Sequence, residues 1–215
     1  MDFDLSKVPK HQTYDLLCGL VAPRPIAWIT SMDLAGELNA APFSAYNYMG
    51  MDPPIVAIGI ANHAGGGAIA KLTAQNIRST GEFVINVVNE TVAEAMNFTA
   101  MDFPVDIKAL KIAQLKMEPS LIVKVPRVAS SPASLECREL TTMEIGQTRI
   151  ILGQVVAIHV GDEFVDQSGP YIRAEELHAI GRMNGLGSYV KTRDAFFQIP
   201  RLTYAEWLKK NEKQL

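Results

Sequence analysis

Polar, small and aromatic residues crowd the stretch NAAPFSAYNYMGMDPPIV, residues 39–56, which lies between two strongly apolar runs. Hydrogen-bonding groups come from Asn39, Ser44 and Asn47, and ring-sized walls come from Phe43, Tyr46 and Tyr48. Small residues at Ala40 and Ala41 let a flat ring come close to the backbone, and Pro42 removes a donor from the strand, which suits an edge or interrupted ladder. The stretch therefore predicts one wall of a small-molecule site.

The start of a helix predicted over residues 68–83 is a second candidate. Lys71 and Thr73 lie in its first turns, directly after the glycine-rich loop NHAGGGA. The N–H groups and the macrodipole of a helix start can hold a phosphate. The loop lacks the G-x-x-x-x-G-K-[ST] and G-x-G-x-x-G patterns, however. A phosphate contact and a plain flexible connection therefore both stay open from the residues alone.

The segment ELHAIGRMNGLGSYV places His178 and Arg182 on a glycine-rich backbone, which is typical of a site rim and equally of a plain loop. The four histidines have no zinc-binding spacing, and His159 alternates with apolar residues as a satisfied core histidine does. No nucleophile elbow occurs, and the carboxylates are scattered singly. We predict no catalytic side chain and no metal site. Such a site suits a cofactor that carries its own chemistry.

Composition excludes several classes of function. The 215 residues carry a net charge of −3, with no basic patch for nucleic acid. The N-terminus has no apolar core of a signal peptide, and the longest apolar runs are too short for a membrane span. The two cysteines are far apart and fit a reducing compartment. We therefore expect a cytoplasmic protein with neither a membrane nor a nucleic-acid partner.

The elements that position these residues are mostly strands. Hydrophobic patterns predict strands over 25–31, 38–48, 53–61, 82–88, 133–146 and 149–165, with a hairpin turn at 32–38 and helices over 11–25, 68–83 and 90–100. Residues 102–120 are predicted to be a surface excursion and 201–215 a C-terminal helical tail, within one domain spanning 1–215. Because strands and helices do not alternate regularly, the order favours an antiparallel barrel.

Three segments in a fixed order carry a resemblance to a known family. They are PRPIAWITSMDLAGELNAAPFSAYNYMGMDPPIV, then KLTAQNIRSTGEFVINVV, and late in the chain HAIGRMNGLGSYV. Together they resemble the flavin reductase-like family of FMN-binding split barrels over about residues 20 to 190. The resemblance implies a mainly β fold, an antiparallel split β-barrel of the Greek-key type, and a homodimer with FMN in a groove at the subunit interface.

The resemblance also implies a set of FMN contacts. They map onto Thr30, Ser31, Asn39, Ala41, Pro42, Phe43, Ser44, Lys71 and Thr73, with His178 and Arg182 approaching the flavin from the late loop. The sequence departs from the family pattern at Ala45-Tyr46, where two aromatics often stand, at Leu72, which replaces an Asp, and at the Gly65–Gly67 loop. These departures concern the phosphate contacts and the nicotinamide face.

The function that the resemblance implies is NAD(P)H-dependent reduction of flavin, with FMN as cofactor and a monooxygenase as a possible recipient of the electrons. Two alternatives stay open. One is a flavoredoxin-like electron carrier that holds FMN tightly, and the other is a non-catalytic small-molecule binding barrel.

Overall fold

A computed structural model describes residues 1–62, 71–101, 103, 109–169, 171–185, 187–193, 196–197, 199, 203 and 206. In chain order the elements are α1 (Lys10–Leu20), β1 (Ala27–Met32), β2 (Leu38–Phe43), β3 (Tyr46–Met51), β4 (Pro54–Ala61), α2 (Leu72–Thr80), β5 (Glu82–Val87), α3 (Ala93–Phe98), α4 (Ala109–Ile112), β6 (Met117–Glu118), β7 (Arg127–Val128), β8 (Ala133–Ile145), β9 (Thr148–Val160), a 3-10 turn (Asp162–Phe164), β10 (Ile180–Arg182) and β11 (Tyr189–Lys191).

Seven strands form one antiparallel sheet in the order β2-β1-β5-β8-β9-β4-β3. Its two edge strands, β2 and β3, are separated in the chain only by Ser44 and Ala45, so the chain itself joins the two edges. The connection through α2 then returns β5 to the side of β1, as in a Greek key. The predicted antiparallel split barrel is confirmed.

The barrel closes where β2 gives way to β3. The N–H of Gly59, in β4, donates to the carbonyl oxygen of Ala45 at 2.7 Å. A Cβ on Gly59 would lie 3.1 Å from the Cβ of Ala45, so the two backbones approach closely there. The single strand predicted over 38–48 is therefore wrong at one point, because the chain bends at residues 44–45 and changes its pairing partner from β1 to β4.

Two apolar clusters lie on the two faces of the sheet. Inside the barrel, buried side chains of β1, β4, β5 and β9 pack against Ala74 and Ile77 of α2. On the other face, Trp28 packs with Ala40, Val88, Val92, Met96 and Val128, and its indole Nε1–H donates to Thr99 Oγ1 at 2.9 Å. Because β1 has apolar or buried residues on both faces, it is buried along its length.

The local signals for helix ends correspond to the structure. The predicted first helix ends at Leu20, ahead of Pro23. The second ends at Gly81, whose φ of +70° is left-handed and whose N–H donates to Ile77 O at 2.7 Å. Ahead of α3, Asn89 Oδ1 accepts bonds from the N–H groups of Thr91 and Val92.

Parts of three predictions lie outside the described residues. They are most of the loop at 62–68, the start of the helix predicted over 68–83, and the tail at 201–215 apart from Thr203 and Glu206. Of 102–120, the described part holds α4 and β6, and Leu110, Leu115 and Met117 pack against the Trp28 cluster. In the portion of the chain that the structure describes, no helix is both long enough and apolar enough to span a membrane.

Candidate functional site

The register between β1 and β2 sorts the predicted contact residues onto two faces. The pairs are Ser31↔Asn39, Thr30↔Ala40, Ile29↔Ala41, Trp28↔Pro42 and Ala27↔Phe43. Paired residues share a face, and successive residues alternate between faces. Ser31, Asn39, Ala41 and Phe43 therefore lie together on the face that leads to α2, whereas Thr30 and Pro42 lie on the opposite one.

Thr30 stands apart from the other predicted contacts. Its side chain is fully buried, and its hydroxyl donates to Pro126 O at 2.7 Å and accepts a bond from Asn86 Nδ2 at 3.4 Å. These bonds tie β1 to β5 and to the loop before β7. Ser31 and Thr73 are buried to the same degree, at 0% and 2% relative exposure, so burial does not separate Thr30 from them. The cofactor contacts assigned to all three stay predictions.

A polar cluster forms where β1 and β2 meet the start of α2. Asn39 Nδ2 donates to Thr73 Oγ1 at 2.9 Å, and Asn76 Nδ2 donates to Ser31 Oγ at 3.2 Å. Lys71 is the N-cap of α2 and makes no side-chain capping bond. The first N–H groups of α2 thus have no side-chain cap among the described residues. Uncapped N–H groups, the macrodipole and a lysine together make a place for an anion.

Asn76 was missed by the sequence reasoning. It lies three positions after Thr73, and residues three apart share a helix face. Its amide is buried and holds Ser31, so it positions one of the predicted contacts rather than standing alone. Helical spacing from Thr73 is the signal that would have found it.

A second polar cluster forms beyond the far end of β2, around Ser44. Arg24 Nε donates to Ser44 Oγ at 3.3 Å, and Arg24 pairs through its backbone with Arg182. Arg182 in turn donates from Nη2 to Gly185 O at 2.8 Å and lies 4.8 Å from the ring centroid of Tyr189. The structure therefore brings Ser44 and the late loop to the same end of the barrel. Arg24 was not among the predicted site residues.

His178 is held beside this second cluster. It has a left-handed φ of +46°, and its carbonyl accepts the N–H of Glu90 at 3.1 Å. The next residue, Ala179, bridges to Asn89 at the end of β5. The backbone of the His178 segment is thus anchored to the sheet. Within the described part of the chain, no hydrogen bond joins His178 directly to Ser44 or Lys71.

Tyr46, the titratable residue that follows the bend of the chain, is not a base at neutral pH. Burial raises the pKa of Tyr46 to about 12, and the neighbouring Cys137 acts in the same direction. The phenol therefore stays protonated at neutral pH. Among the described residues, no group of three or more His, Cys, Asp or Glu side chains could hold a metal ion.

The two polar clusters lie at opposite ends of one edge strand. Asn39 and Ser44 are five residues apart, which in an extended chain spans about 16 Å. No other strand of the described residues pairs with the outer side of β2. β2 is therefore an open edge strand, with small residues along it and a polar cluster beyond each end. This donor set fits FMN, which has a phosphate at one end and a flat ring with a polar edge at the other.

Comparison with known proteins assigns the class. Residues 20–177 match the flavin reductase like domain. The chain therefore belongs to the flavin reductase-like family, a flavin-binding family, and the resemblance seen in the sequence is confirmed.

Individual relatives extend this likeness along nearly the whole chain. An uncharacterized protein of Deinococcus radiodurans is 41% identical over 211 residues, which cover 95% of this chain and 91% of the relative. The 2-nitrobenzoate 2-nitroreductase NbaA of Pseudomonas fluorescens is 31% identical, with a TM-score of 0.85 over 95% of this chain and 98% of that chain. Nitrilotriacetate monooxygenase component B of Bacillus cereus is 27% identical, with a TM-score of 0.85 over 92% of this chain and 98% of that chain.

Proposed function

We propose that the protein is an NAD(P)H-dependent oxidoreductase that binds FMN along β2. The observation that carries the proposal is the pair of polar clusters at the two ends of this strand. FMN, when bound, accepts and passes on electrons, so the protein needs to bind and orient it rather than supply a nucleophile. A cytoplasmic location, where NAD(P)H is available and the free Cys18 and Cys137 stay reduced, is part of the same proposal.

The start of α2 would hold the phosphate. The N–H groups of Leu72 and Thr73 at the helix start would meet the phosphate, since those of Ala74 and Gln75 donate to Lys71 O. Lys71 would add a positive charge, and Thr73 would add a hydroxyl that is bonded to Asn39. Ser31 and Asn39 would meet the polar chain between phosphate and ring. Ser31, Asn39 and Thr73 are each hydrogen-bonded to a neighbouring side chain, so little ordering of these three remains to be done on binding.

The ring would lie at the other end of β2. Ala41 leaves room for close approach, Phe43 forms part of the wall, and the backbone of residues 41–44 can meet the polar edge of the ring. Pro42 interrupts the strand's donors at this point. Ser44, Arg182 and His178 would complete this end from the bend and from the late loop.

A homodimer with FMN near the subunit interface is also part of the proposal. The second edge strand, β3, exposes Tyr48, Met49 and Met51, and their relative exposures are 74%, 60% and 89%. An exposed apolar edge strand is a common place for association with another chain. Light scattering on the purified protein measures the mass, and a monomer at micromolar concentration would contradict this part.

The recipient of the electrons has two candidates. The likeness to nitrilotriacetate monooxygenase component B favours a monooxygenase that takes reduced flavin. The likeness to a 2-nitrobenzoate nitroreductase favours direct reduction of an organic substrate on the bound flavin. Turnover of free FMN supports the first, and NAD(P)H oxidation that depends on an added nitroaromatic compound, with FMN remaining bound, supports the second.

One experiment tests the core of the proposal. The full chain is titrated with FMN, and NADH or NADPH is then added without oxygen while the flavin absorbance is followed. Bleaching with either donor is the expected result. Tight FMN binding with no bleaching by either donor favours an electron carrier that is reduced by another protein. Failure to bind FMN leaves only the non-catalytic binding barrel.

A further inference from the structure

We propose that Arg24 is a positioning residue that, through Ser44, raises the reduction potential of bound FMN. This inference rests on the proposed function. It concerns a side chain that lies behind the groove rather than in its wall. Arg24 is only 7% exposed, so it does not reach solvent as a typical surface arginine does.

The guanidinium of Arg24 makes four hydrogen bonds. Nη1 donates to the carbonyl oxygens of Cys18 and Val21 at 2.7 and 2.9 Å, and Nη2 donates to Met183 O at 2.6 Å. The fourth bond, from Nε, goes to Ser44 Oγ at 3.3 Å. All four acceptors are uncharged, and no carboxylate of the described residues forms an ion pair with Arg24. Among the described residues, therefore, the buried charge has no acidic partner.

Part of this arrangement has a structural reason. Cys18 and Val21 lie at the C-terminus of α1, where unpaired carbonyls and the negative end of the helix dipole favour a cation. The bond to Met183 ties the late loop to the same point. These contacts give a structural reason for the hydrogen bonds from Nη1 and Nη2. They do not explain the bond from Nε to Ser44, which lies on the other side, at the end of β2.

The bond from Arg24 occupies one acceptor site of the Ser44 hydroxyl and keeps its hydrogen away from the guanidinium. A serine hydroxyl has one hydrogen to donate and two lone pairs to accept with. Because Oγ already accepts from Arg24, its hydrogen is free to be donated to another acceptor. Ser44 is half-buried, at the ring end of the groove. Arg24 therefore presents Ser44 as a donor and polarises its O–H bond from behind.

The fixed positive charge of Arg24 would stabilise oxidised and reduced FMN to different degrees. A hydride carries two electrons and one proton, so hydride transfer from NAD(P)H to bound FMN would leave NAD(P)⁺ and would add one negative charge to the flavin. A buried cation, with a donor in front of it, stabilises the more negative form more strongly. By linkage, tighter binding of the reduced form raises the potential of the bound cofactor.

The test compares variants of the full chain loaded with FMN. Arg24→Met removes the charge and keeps much of the volume, and Arg24→Lys keeps the charge but not the four hydrogen bonds. Ser44→Ala removes the hydroxyl through which Arg24 would act on FMN, and this Arg24–Ser44 hydrogen bond is called the relay below. Arg138→Met, on an arginine of the same sheet whose side chain is 54% exposed, is the matched control. For each, FMN affinity is measured by titration and the midpoint potential by spectroelectrochemistry.

We expect Arg24→Met to lower the ratio of reduced-state to oxidised-state affinity at least tenfold, which is about 30 mV for a two-electron couple. Arg24→Lys should recover more than half of the shift. Ser44→Ala should also lower the midpoint potential. The double variant should lower it by less than the sum of the two single changes. Arg138→Met should leave the potential unchanged.

Other outcomes overturn the inference. If Arg24→Met binds FMN at the wild-type potential and loses only thermal stability, Arg24 is a structural clamp alone. If both Arg24 variants fail to fold, the potential of Ser44→Ala decides, and an unchanged value refutes the relay. A wild-type protein that binds no FMN refutes the proposed function instead, so the two failures are distinguishable.

Discussion

Arg24 and Arg182 lie opposite each other and exchange both of their backbone hydrogen bonds, with N···O distances of 2.9 and 2.8 Å. One residue precedes β1 and the other ends β10, so this bridge fastens the late loop to the first strand of the barrel. Their side chains then leave in different directions, Arg24 toward Ser44 and Arg182 toward Gly185 and Tyr189. The position of the ring end of the groove depends on this bridge.

A side chain at Gly181 would disturb the bridge. A Cβ there would lie 2.8 Å from Pro23 Cβ and 3.2 Å from Val190 Cγ1. We expect Gly181→Ala to lower the unfolding free energy by about 1–3 kcal/mol, as overpacking does, and to weaken FMN binding. Chemical denaturation and FMN titration measure the two effects. Gly19→Ala in α1, where a Cβ meets nothing within 4 Å, is the control. It should leave FMN binding close to wild type and should not lower the unfolding free energy, because alanine favours a helix more than glycine does.

The phosphate end can be tested separately from the ring end. Riboflavin has the same ring as FMN and lacks the phosphate. We expect Lys71→Ala to weaken FMN binding roughly 10- to 100-fold, the equivalent of a charge-assisted hydrogen bond, and to leave riboflavin binding unchanged. Lys116→Ala, at an exposed lysine between α4 and β6, serves as the control. Equal losses for the two ligands would place Lys71 away from the phosphate.

Glu136 gives the fold a predictable response to acid. Its carboxylate is fully buried and accepts the N–H groups of Leu121, Ile122 and Val123 at 2.5–2.9 Å, and His159 Nε2 lies 2.5 Å from Oε1. Burial raises the pKa of Glu136, but the hydrogen bonds from His159 and the three amides lower it by more, so the pKa is about 2. The pKa is thus below its usual value of 4.5.

The ionised form of Glu136 therefore stabilises the folded state at neutral pH. A depressed carboxyl pKa contributes stability that is present above pH 4.5 and is lost as the pH falls toward 2. We expect Glu136→Gln to cost on the order of 3 kcal/mol at pH 7 and much less near pH 2. Denaturant unfolding at several pH values measures the difference. Glu94→Gln, at an exposed position in α3, should show no such dependence.

Gly153 and Phe83 test the packing inside the barrel. Phe83 is fully buried, and a Cβ on Gly153 would lie 2.5 Å from its ring atom Cζ. Gly153→Ala should destabilise the protein by about 1–3 kcal/mol. Phe83→Leu shortens the side chain, so the double variant should lose less than the sum of the single losses. Strict additivity in unfolding experiments would contradict a direct clash between the added methyl group and the Phe83 ring.

The sequence was informative where a signal is local. Alternating apolar residues predicted β8, a long apolar run predicted β9, and Gly81 predicted the end of α2, because these signals depend on nearby residues. The bend at Ser44-Ala45 was missed because a change of pairing partner is decided by strands far away in the chain. Arg24 was missed because its four acceptors come from three separate segments.

The burial of Glu136 could not be predicted from the sequence either, because it depends on a distant segment. Its position in ASLECRELTTMEI predicts the outward side of a half-exposed strand, since Leu135 and Cys137 are apolar. The loop at residues 120–125 covers that side and buries the carboxylate completely. The histidine predicted to be satisfied, His159, does pair with Glu136, although it remains partly exposed. The alternation of apolar and polar residues along a strand does not show whether a loop covers its polar face.

The change of partner at Ser44-Ala45 also restricts how this chain can vary in length. β2 is in register with β1 and β3 is in register with β4, and only two residues separate them. Inserting or deleting one residue there would turn every later side chain of β3 to the opposite face, or else slip β2 against β1. The fixed spacing of this segment is a requirement of barrel closure, independent of any ligand.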